Sequence, residues 1–462
     1  MPTRISKERF DTFLFGLRGS GQTENWTDVA HWETHDGQAL AALFYVENDK
    51  IDAFMGALFL RDEHNRFCAF PPLVPFRTKR AGEQSILEKL TDIEAQTEPL
   101  PVPDSDLPAG IDLFTVEHDA PLNPIFLNLR DSQHSSAARE IIRETAKWFV
   151  DRDGNFARDF QTTGTSARFW ELYLFRVFRD LDFDIDFSVA SPDFALSKGD
   201  MKLFVEATTA NPADQAFVDL MAGPAPPPED FWRFIENDMA LIFGSPLYTK
   251  QMKAYWEKAP VKGHPFAIAV ADFHAPGSMT WSHTALSIYL YGVSVMRKTG
   301  EDGQEMAAPK PLEEHRRGDK VIPAGFFNQP GTEHISAVIF SNAGTKAKFT
   351  RMGTLAGFGD PDMAVRRMGI QSNPMPGALE GLPFDINIEA PDYEERWPDE
   401  LEIYHNPNAV IPWPDESVLP DVTHFKKHDG ELIWRGAPFR VLTSRTLVER
   451  RPPFSNADEE IR

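Results

Sequence analysis

The sequence predicts an α/β protein with a mixed central sheet, a β-rich N-terminal part and an irregular α+β C-terminal part. Three observations carry this. Between Gln161 and Asp272 the signals run helix, three short β runs, helix, strand, an order that builds a mixed sheet flanked by helices. Ahead of it, ALAALFYVEN, AFMGALFLRD and NRFCAFPPLV are β-rich runs separated by turns, the pattern of a small antiparallel sheet. Finally, 462 residues with 42% apolar and 25% charged side chains make a globular chain too long for one ordinary core. Three parts are expected: residues 1–108, 109–292 and 293–462.

Taken in order, the β runs lead into GEQSILEKLTDIEA, an amphipathic helix, and then EPLPVPDSDLPAG, a Pro-rich linker. GLRGSG near the start lacks the GxGxxG order and a preceding strand, so no phosphate loop is expected there. SSAAREIIRETAKWFV has apolar residues at helical spacing. DRDGNFARDF is a turn that looks like part of an EF-hand loop, but it lacks the third acidic position and the closing Glu, so no calcium site is expected. TSARFWELYLFRVFRDL is a helix of about four turns, expected to start at a Thr or Ser cap. The β runs FDIDFSV, PDFALS and MKLFVEATT follow, the last two joined by a turn at Lys198-Gly199-Asp200. After a Gly/Pro loop beginning at Gly223 come the helical stretches DFWRFIENDMALIF and SPLYTKQMKAYWEK, then the apolar strand HPFAIAVADFH. Beyond Pro276, WSHTALSIYLYGV predicts a helix and HISAVIFSN a strand, set among Gly/Pro-rich stretches and an acidic segment from Asp385 to Asp421.

Composition narrows the function. No run of eighteen apolar residues exists, so no transmembrane helix is expected. MPTRISKERFDTFLFGL has no apolar h-region ending in small residues, so no secretory signal is expected either. One cysteine, Cys68, cannot close an internal disulfide and suits a reducing cytoplasm; within RFCAF it reads as a small buried hydrophobe. A net charge of -23 argues against a general nucleic-acid binder, because phosphate neutralisation needs Lys and Arg, though global charge says nothing about one cleft. Basic residues cluster at Lys346, Lys348 and Arg351, and at Lys426, Lys427, Arg435, Arg440 and Arg445, where solvated surface is the ordinary reading and guidance of a substrate or partner the functional one.

Three acids sit where structure alone does not want them. Glu171 shares a helix face with Phe175 and Phe178, and a carboxylate on that stripe needs a partner; Arg168 is the structural candidate. Asp193 follows Pro192 at the start of a strand, a common turn when taken alone. Glu206 lies in LFVEATT, a nearly all-apolar strand, on the face of Phe204 and Thr208. A lone acid in a buried strand is costly, and a metal ion is the usual compensation. Twelve residues separate Asp193 from Glu206, enough for strand, turn and return strand, so a hairpin sets the two side by side. Hard oxygen ligands of this kind suit Mg²⁺ or Mn²⁺ with water completing the sphere.

Glu171 on a helix, Pro192-Asp193, and Glu206-Ala-Thr208 in an α-β-β-β-α-β order resemble the PD-(D/E)XK, or restriction-endonuclease-like, nuclease superfamily over about 110 residues. The resemblance implies a metal-dependent nuclease hydrolysing phosphodiester bonds, with DNA preferred over RNA and bacterial defence as a setting. It implies Asp193 and Glu206 as metal ligands and Glu171 as a supporting acid acting through water. A homodimer or an activating protein partner also fits that class. The sequence departs from the pattern at the lysine two residues after the second acid, where Thr208 stands. A neutral hydroxyl cannot supply the charge of an ammonium. Lys250, in a helix expected to pack over the site, is the preferred substitute, with Lys253 behind it; Lys202 is about 13 Å along the strand from Glu206 and too far.

Two other readings remain. A degenerate nuclease-like module, acting in binding or assembly without catalysis, is favoured by Thr208 and by the acidic balance. A different metal hydrolase would use Asp272, His274 and His283 near the end of VADFH. Serine-nucleophile chemistry has no support, since no GxSxG elbow is present.

Overall fold

Two large sheets organise the chain in the computed structural model, which describes residues 1–17, 26–48, 51–96, 108–211, 227–299, 303, 305–375, 378, 380–436 and 440–451. The first is an antiparallel meander of β1 (Thr3–Ile5), β2 (Trp26–Glu33), β3 (Ala39–Asn48), β4 (Ile51–Arg61) and β5 (Phe67–Phe76), paired in chain order. Its middle strand is covered on both faces. Ala39, Ala41 and Leu43 meet Ile86 and Leu90, which lie on α2 (Lys79–Ala95), while Leu40 and Ala42 meet Phe10 and Phe13 on α1 (Lys7–Leu14). That two-sided burial is why ALAAL is apolar at every position instead of alternating. Cys68, on β5, is half-buried, and burial raises its thiol pKa. Most of the Pro-rich segment after α2, and the start of the Gly223 loop, lie outside the described residues.

The second part of the chain runs α3 (Pro124–Asp131), α4 (Ser136–Ala146), α5 (Phe156–Gln161), α6 (Thr165–Asp180), β6 (Asp184–Ile185), β7 (Phe194–Lys198) and β8 (Met201–Ala210). A short α7 (Phe231–Arg233) passes through a π-helical turn into α8 (Met239–Gln251), followed by β9 (Phe266–Asp272) and α9 (Ala285–Tyr291). From α6 the order is therefore helix, three strands, helix, strand, as expected, with β6 only two residues long. No side chain caps α6. Its N-cap is Gly164, and Thr165 instead donates its hydroxyl back to the carbonyls of Phe160 and Thr162.

Two hairpins follow, β10 (Val293–Thr299) with β11 (Glu305–Pro311) and β12 (Glu314–Arg317) with β13 (Lys320–Pro323). Then come β14 (Ala337–Phe340), α10 (Lys346–Leu355), β15 (Met363–Gln371), β16 (Leu382–Asn387), β17 (Glu402–His405), β18 (Thr423–His428), β19 (Glu431–Arg435) and β20 (Val441–Arg450). One mixed sheet crosses residue 292: its order is β19-β18-β17-β14-β9-β8-β7-β6, so half its strands come from the segment that reads as irregular. Alternation along β8, β9 and β14 divides the core in two. Val205, Ala207, Ala267, Ala269 and Ile339 face α4, α6 and α10, whereas Phe204, Ile268, Val270, Val338 and Phe340 face α8 and α9.

Lys348 and Arg351, of the basic cluster that also holds Lys346, are not solvated surface. Lys348 Nζ lies 2.7 Å and Arg351 Nη2 2.8 Å from Glu395 Oε1, all three fully or almost fully buried. These cations neutralise a buried acid and are not free to guide a substrate. Among the described residues no helix is long and apolar enough to cross a membrane.

Candidate active site

The β7–β8 hairpin sets the geometry. A two-residue turn joins Lys198 to Met201, with Gly199 at φ +58°, a backbone conformation that glycine adopts without strain. The register that follows pairs Phe194 with Val205, so Asp193 and Glu206 stand opposite each other at the open end. Two hydrogen bonds lock them there: Asp193 N donates to Glu206 Oε2 at 3.3 Å, and Ala207 N donates to Asp193 Oδ2 at 2.8 Å. The side-by-side pair read from spacing is therefore present.

Glu206 points to the α8 side of the sheet and is 5% exposed, in a strand where an unpaired charge would be very costly. Its Oε1 accepts from Lys250 Nζ at 2.5 Å and from the Tyr255 hydroxyl at 2.6 Å. Lys250 thus reaches the site from the last turn of α8, on the face where Thr208 stands. Lys253 does not reach Glu206 but lies 6.0 Å from the centre of the Tyr255 ring, and Lys202 is exposed farther down β8.

Glu171 projects from α6, which packs on the opposite face of the sheet with Val205 and Ala207. Its carboxylate takes both oxygens to Arg168 Nη1, at 2.9 and 2.8 Å, and Arg168 Nη2 continues to Asp159 at 2.6 Å. The structural partner expected for Glu171 is present. Because the two acids approach from opposite faces, the three carboxylates do not share one coordination sphere. Among the described residues no group of three or more His, Cys, Asp and Glu side chains is placed to hold a metal ion.

The three acids nevertheless feel one another. Burial pushes the Glu171 carboxyl up to about 7, with the Asp193 charge adding to the rise, Arg168 opposing it and Glu206 adding a smaller share. Burial and the Glu206 charge push Asp193 up to about 6, against the Ala207 N–H, Lys250 and Arg152. The Tyr255 hydroxyl is pushed well above its ordinary range by burial and by Glu206, so it stays a donor. Acidic side chains are thus enclosed together, Glu206 hydrogen-bonded through both oxygens and Asp193 through Oδ2. Such a donor set fits Mg²⁺ or Mn²⁺ held by two carboxylates and water, since Mg²⁺ commonly keeps several waters.

Two cations hold the segment that leads to Asp193. Arg152 donates through Nη2 to the Asp193 carbonyl at 3.1 Å, and Lys258 Nζ donates to Ser191 Oγ at 2.7 Å. Both are exposed, as is Lys253. Sequence reasoning missed Tyr255, Arg152 and Lys258. Tyr255 is five residues past Lys250 in the same SPLYTKQMKAYWEK stretch, the one signal that pointed its way.

The histidine alternative does not assemble. His274 Nδ1 lies 2.7 Å from Asp272, and Ser282 donates to the same carboxylate at 2.5 Å. His283 pairs instead with Glu402 at 2.9 Å, beside Arg440. No known protein family, no curated protein and no solved structure matches the chain. The fold is a mixed α/β architecture with a mixed sheet, and the reading of its site rests on the geometry above.

Proposed function

We propose that this is a restriction-endonuclease-like, metal-dependent nuclease that hydrolyses phosphodiester bonds, with DNA as the preferred substrate. The observation that carries the reading is Lys250 Nζ at 2.5 Å from Glu206, an ammonium brought to the acid whose own strand offers Thr208 in that role. Asp193 and Glu206 would hold the cation, and Glu171 would support it through water. When bound, Mg²⁺ or Mn²⁺ supplies Lewis-acid stabilisation of charge developing on the phosphate and makes water more acidic. Glu171, whose carboxyl pKa burial raises and whose carboxylate Arg168 holds, would orient a water on that cation. Lys250 would turn from Glu206 towards a phosphate oxygen or the attacking water. Arg152, Lys253 and Lys258 form an exposed rim that attracts a polyanion locally.

A second reading has an observation of its own. Lys250 neutralises Glu206 as an ion pair, which a degenerate module, engaged in binding or assembly, could use in place of a metal. Cleavage of plasmid, linear duplex, single-stranded DNA and RNA in Mg²⁺ or Mn²⁺ separates the two. The nuclease reading expects metal-dependent cutting that Asp193→Ala and Glu206→Ala both abolish. Intact substrates with either metal, from folded protein, would overturn it in favour of the binding module.

A further inference from the structure

We propose that the turn from Tyr255 to Lys258 is a positioning clamp that fixes the separation and orientation of Asp193 and Glu206 towards a divalent cation. The inference rests on the metal-site reading above and assigns two residues that neither spacing nor motif singled out.

The contacts form a closed circuit. Tyr255 donates its hydroxyl to Glu206 Oε1 at 2.6 Å. Its ring is stacked on Phe266, on β9, with centroids 5.5 Å apart and planes at 26°. Lys258 places its Nζ 4.7 Å from the centre of the same ring and donates to Ser191 Oγ at 2.7 Å. Ser191 stands two residues before Asp193, whose backbone N–H returns to Glu206 Oε2 at 3.3 Å. One short 3₁₀ turn (Tyr255–Glu257) and the residue after it therefore hold both ends of the candidate ligand pair.

The division of Glu206 oxygens gives the circuit a purpose. Oε1 is committed to Tyr255 and Lys250, whereas Oε2 faces the Asp193 side. With Oε1 held, the carboxylate cannot rotate freely, and Oε2, accepting from the Asp193 N–H, stays on the side of Asp193, the other residue that would hold a cation. Outer partners that orient carboxylate ligands in this way commonly change metal affinity by about 10–100-fold when removed.

Titration calorimetry with Mn²⁺ on the full-length chain tests this, with thermal melts to establish that each variant folds. Tyr255→Phe keeps the ring and loses the hydroxyl, so Mn²⁺ binding about tenfold or more weaker is expected. Lys258→Met, at an exposed position that tolerates change, should weaken binding in the same direction, and Lys258→Arg should restore it by keeping the charge and the donor. Tyr255→Phe within about twofold of wild type would overturn the clamp, as would a Lys258→Met variant that binds like wild type. Failure of the underlying reading looks different: wild type would bind no Mn²⁺, or Asp193→Ala would bind it unchanged.

Discussion

Replacing Lys250 by Met removes the one ammonium on Glu206 while leaving a side chain of similar length, so it asks directly what that charge does. At 2.5 Å, with an effective dielectric near 20, the pair is worth about 7 kcal/mol of Coulomb attraction before desolvation is subtracted. Breaking one partner out of a buried pair typically costs about 3–5 kcal/mol. Lys250 retains 18% exposure and Glu206 6%, and Tyr255 continues to donate, which places the expectation at the lower end, about 3 kcal/mol. A cation between Asp193 and Glu206 would supply the missing positive charge. At a hundredfold excess over its dissociation constant it returns about 2.7 kcal/mol, nearly the whole loss. Urea denaturation in EDTA and in Mn²⁺ measures both terms. The variant should be destabilised in EDTA and gain more from Mn²⁺ than wild type does, because in wild type the cation must share Glu206 with the lysine. Equal stability in EDTA, or equal gains from Mn²⁺, would refute the claim that lysine and metal serve the same carboxylate.

Three further outcomes follow from other contacts. Arg152→Ala, tested by fluorescence anisotropy with DNA on an Asp193→Ala background, should weaken binding and lower the salt slope by about one, as expected for one phosphate contact. Glu395→Gln should cost about 3–5 kcal/mol in chemical denaturation, because it leaves Lys348 buried without its acid and Arg351 with Glu400 alone at 3.4 Å, whereas a substrate-guiding role for those cations would leave stability unchanged. His405 is held down to about 3, by burial and by the neighbouring His424, whose Nδ1 lies 2.8 Å away. Between that value and the ordinary histidine range near 6.5 the unfolded chain binds the extra proton, so stability falls as pH drops through this window. Urea midpoints at neutral and mildly acid pH should show the fall, and His405→Gln should reduce it.

Much of the central sheet is legible because burial writes itself into the strands. β9 is buried at every position from Phe266 to Asp272, and a strand covered on both faces reads as a continuous apolar run. The Asp193–Glu206 pair is legible for a similar reason, since period-two alternation and a tight turn leave only one register that keeps Phe194 and Val205 inside. What escaped depends on contacts distant in sequence. β17 and β18, EIYH and THFKKH, are short and mixed in polarity, and their place in the sheet comes from pairing with β14 and with each other. Lys348 and Arg351 look like surface until Glu395, 47 and 44 residues away, is found against them. Glu171 stands apart from the Asp193–Glu206 pair because alternation assigns Glu206 to the α8 face while the helix carrying Glu171 covers the other.

That the ammonium at Glu206 comes from α8 and not from position 208 has a geometric basis that can itself be tested. In a strand, residues two apart share a face at about 7 Å, so Thr208 already stands where a lysine would reach the Glu206 neighbourhood. That face is covered by α8, and Thr208 is only partly exposed beside Val270 on the next strand. A long ammonium starting from Thr208 would have to fit beneath the helix, whereas Lys250 enters from its last turn with its head directed at Glu206. If charge near Glu206 matters and its origin does not, the Thr208→Lys/Lys250→Met double variant should recover metal-dependent cleavage. Lys250→Met alone should lose about a hundredfold or more, the scale of a positioned acid–base group. A double variant that folds and binds Mn²⁺, yet cleaves no better than Lys250→Met, would show that the helix, and not the charge alone, defines the lysine's role.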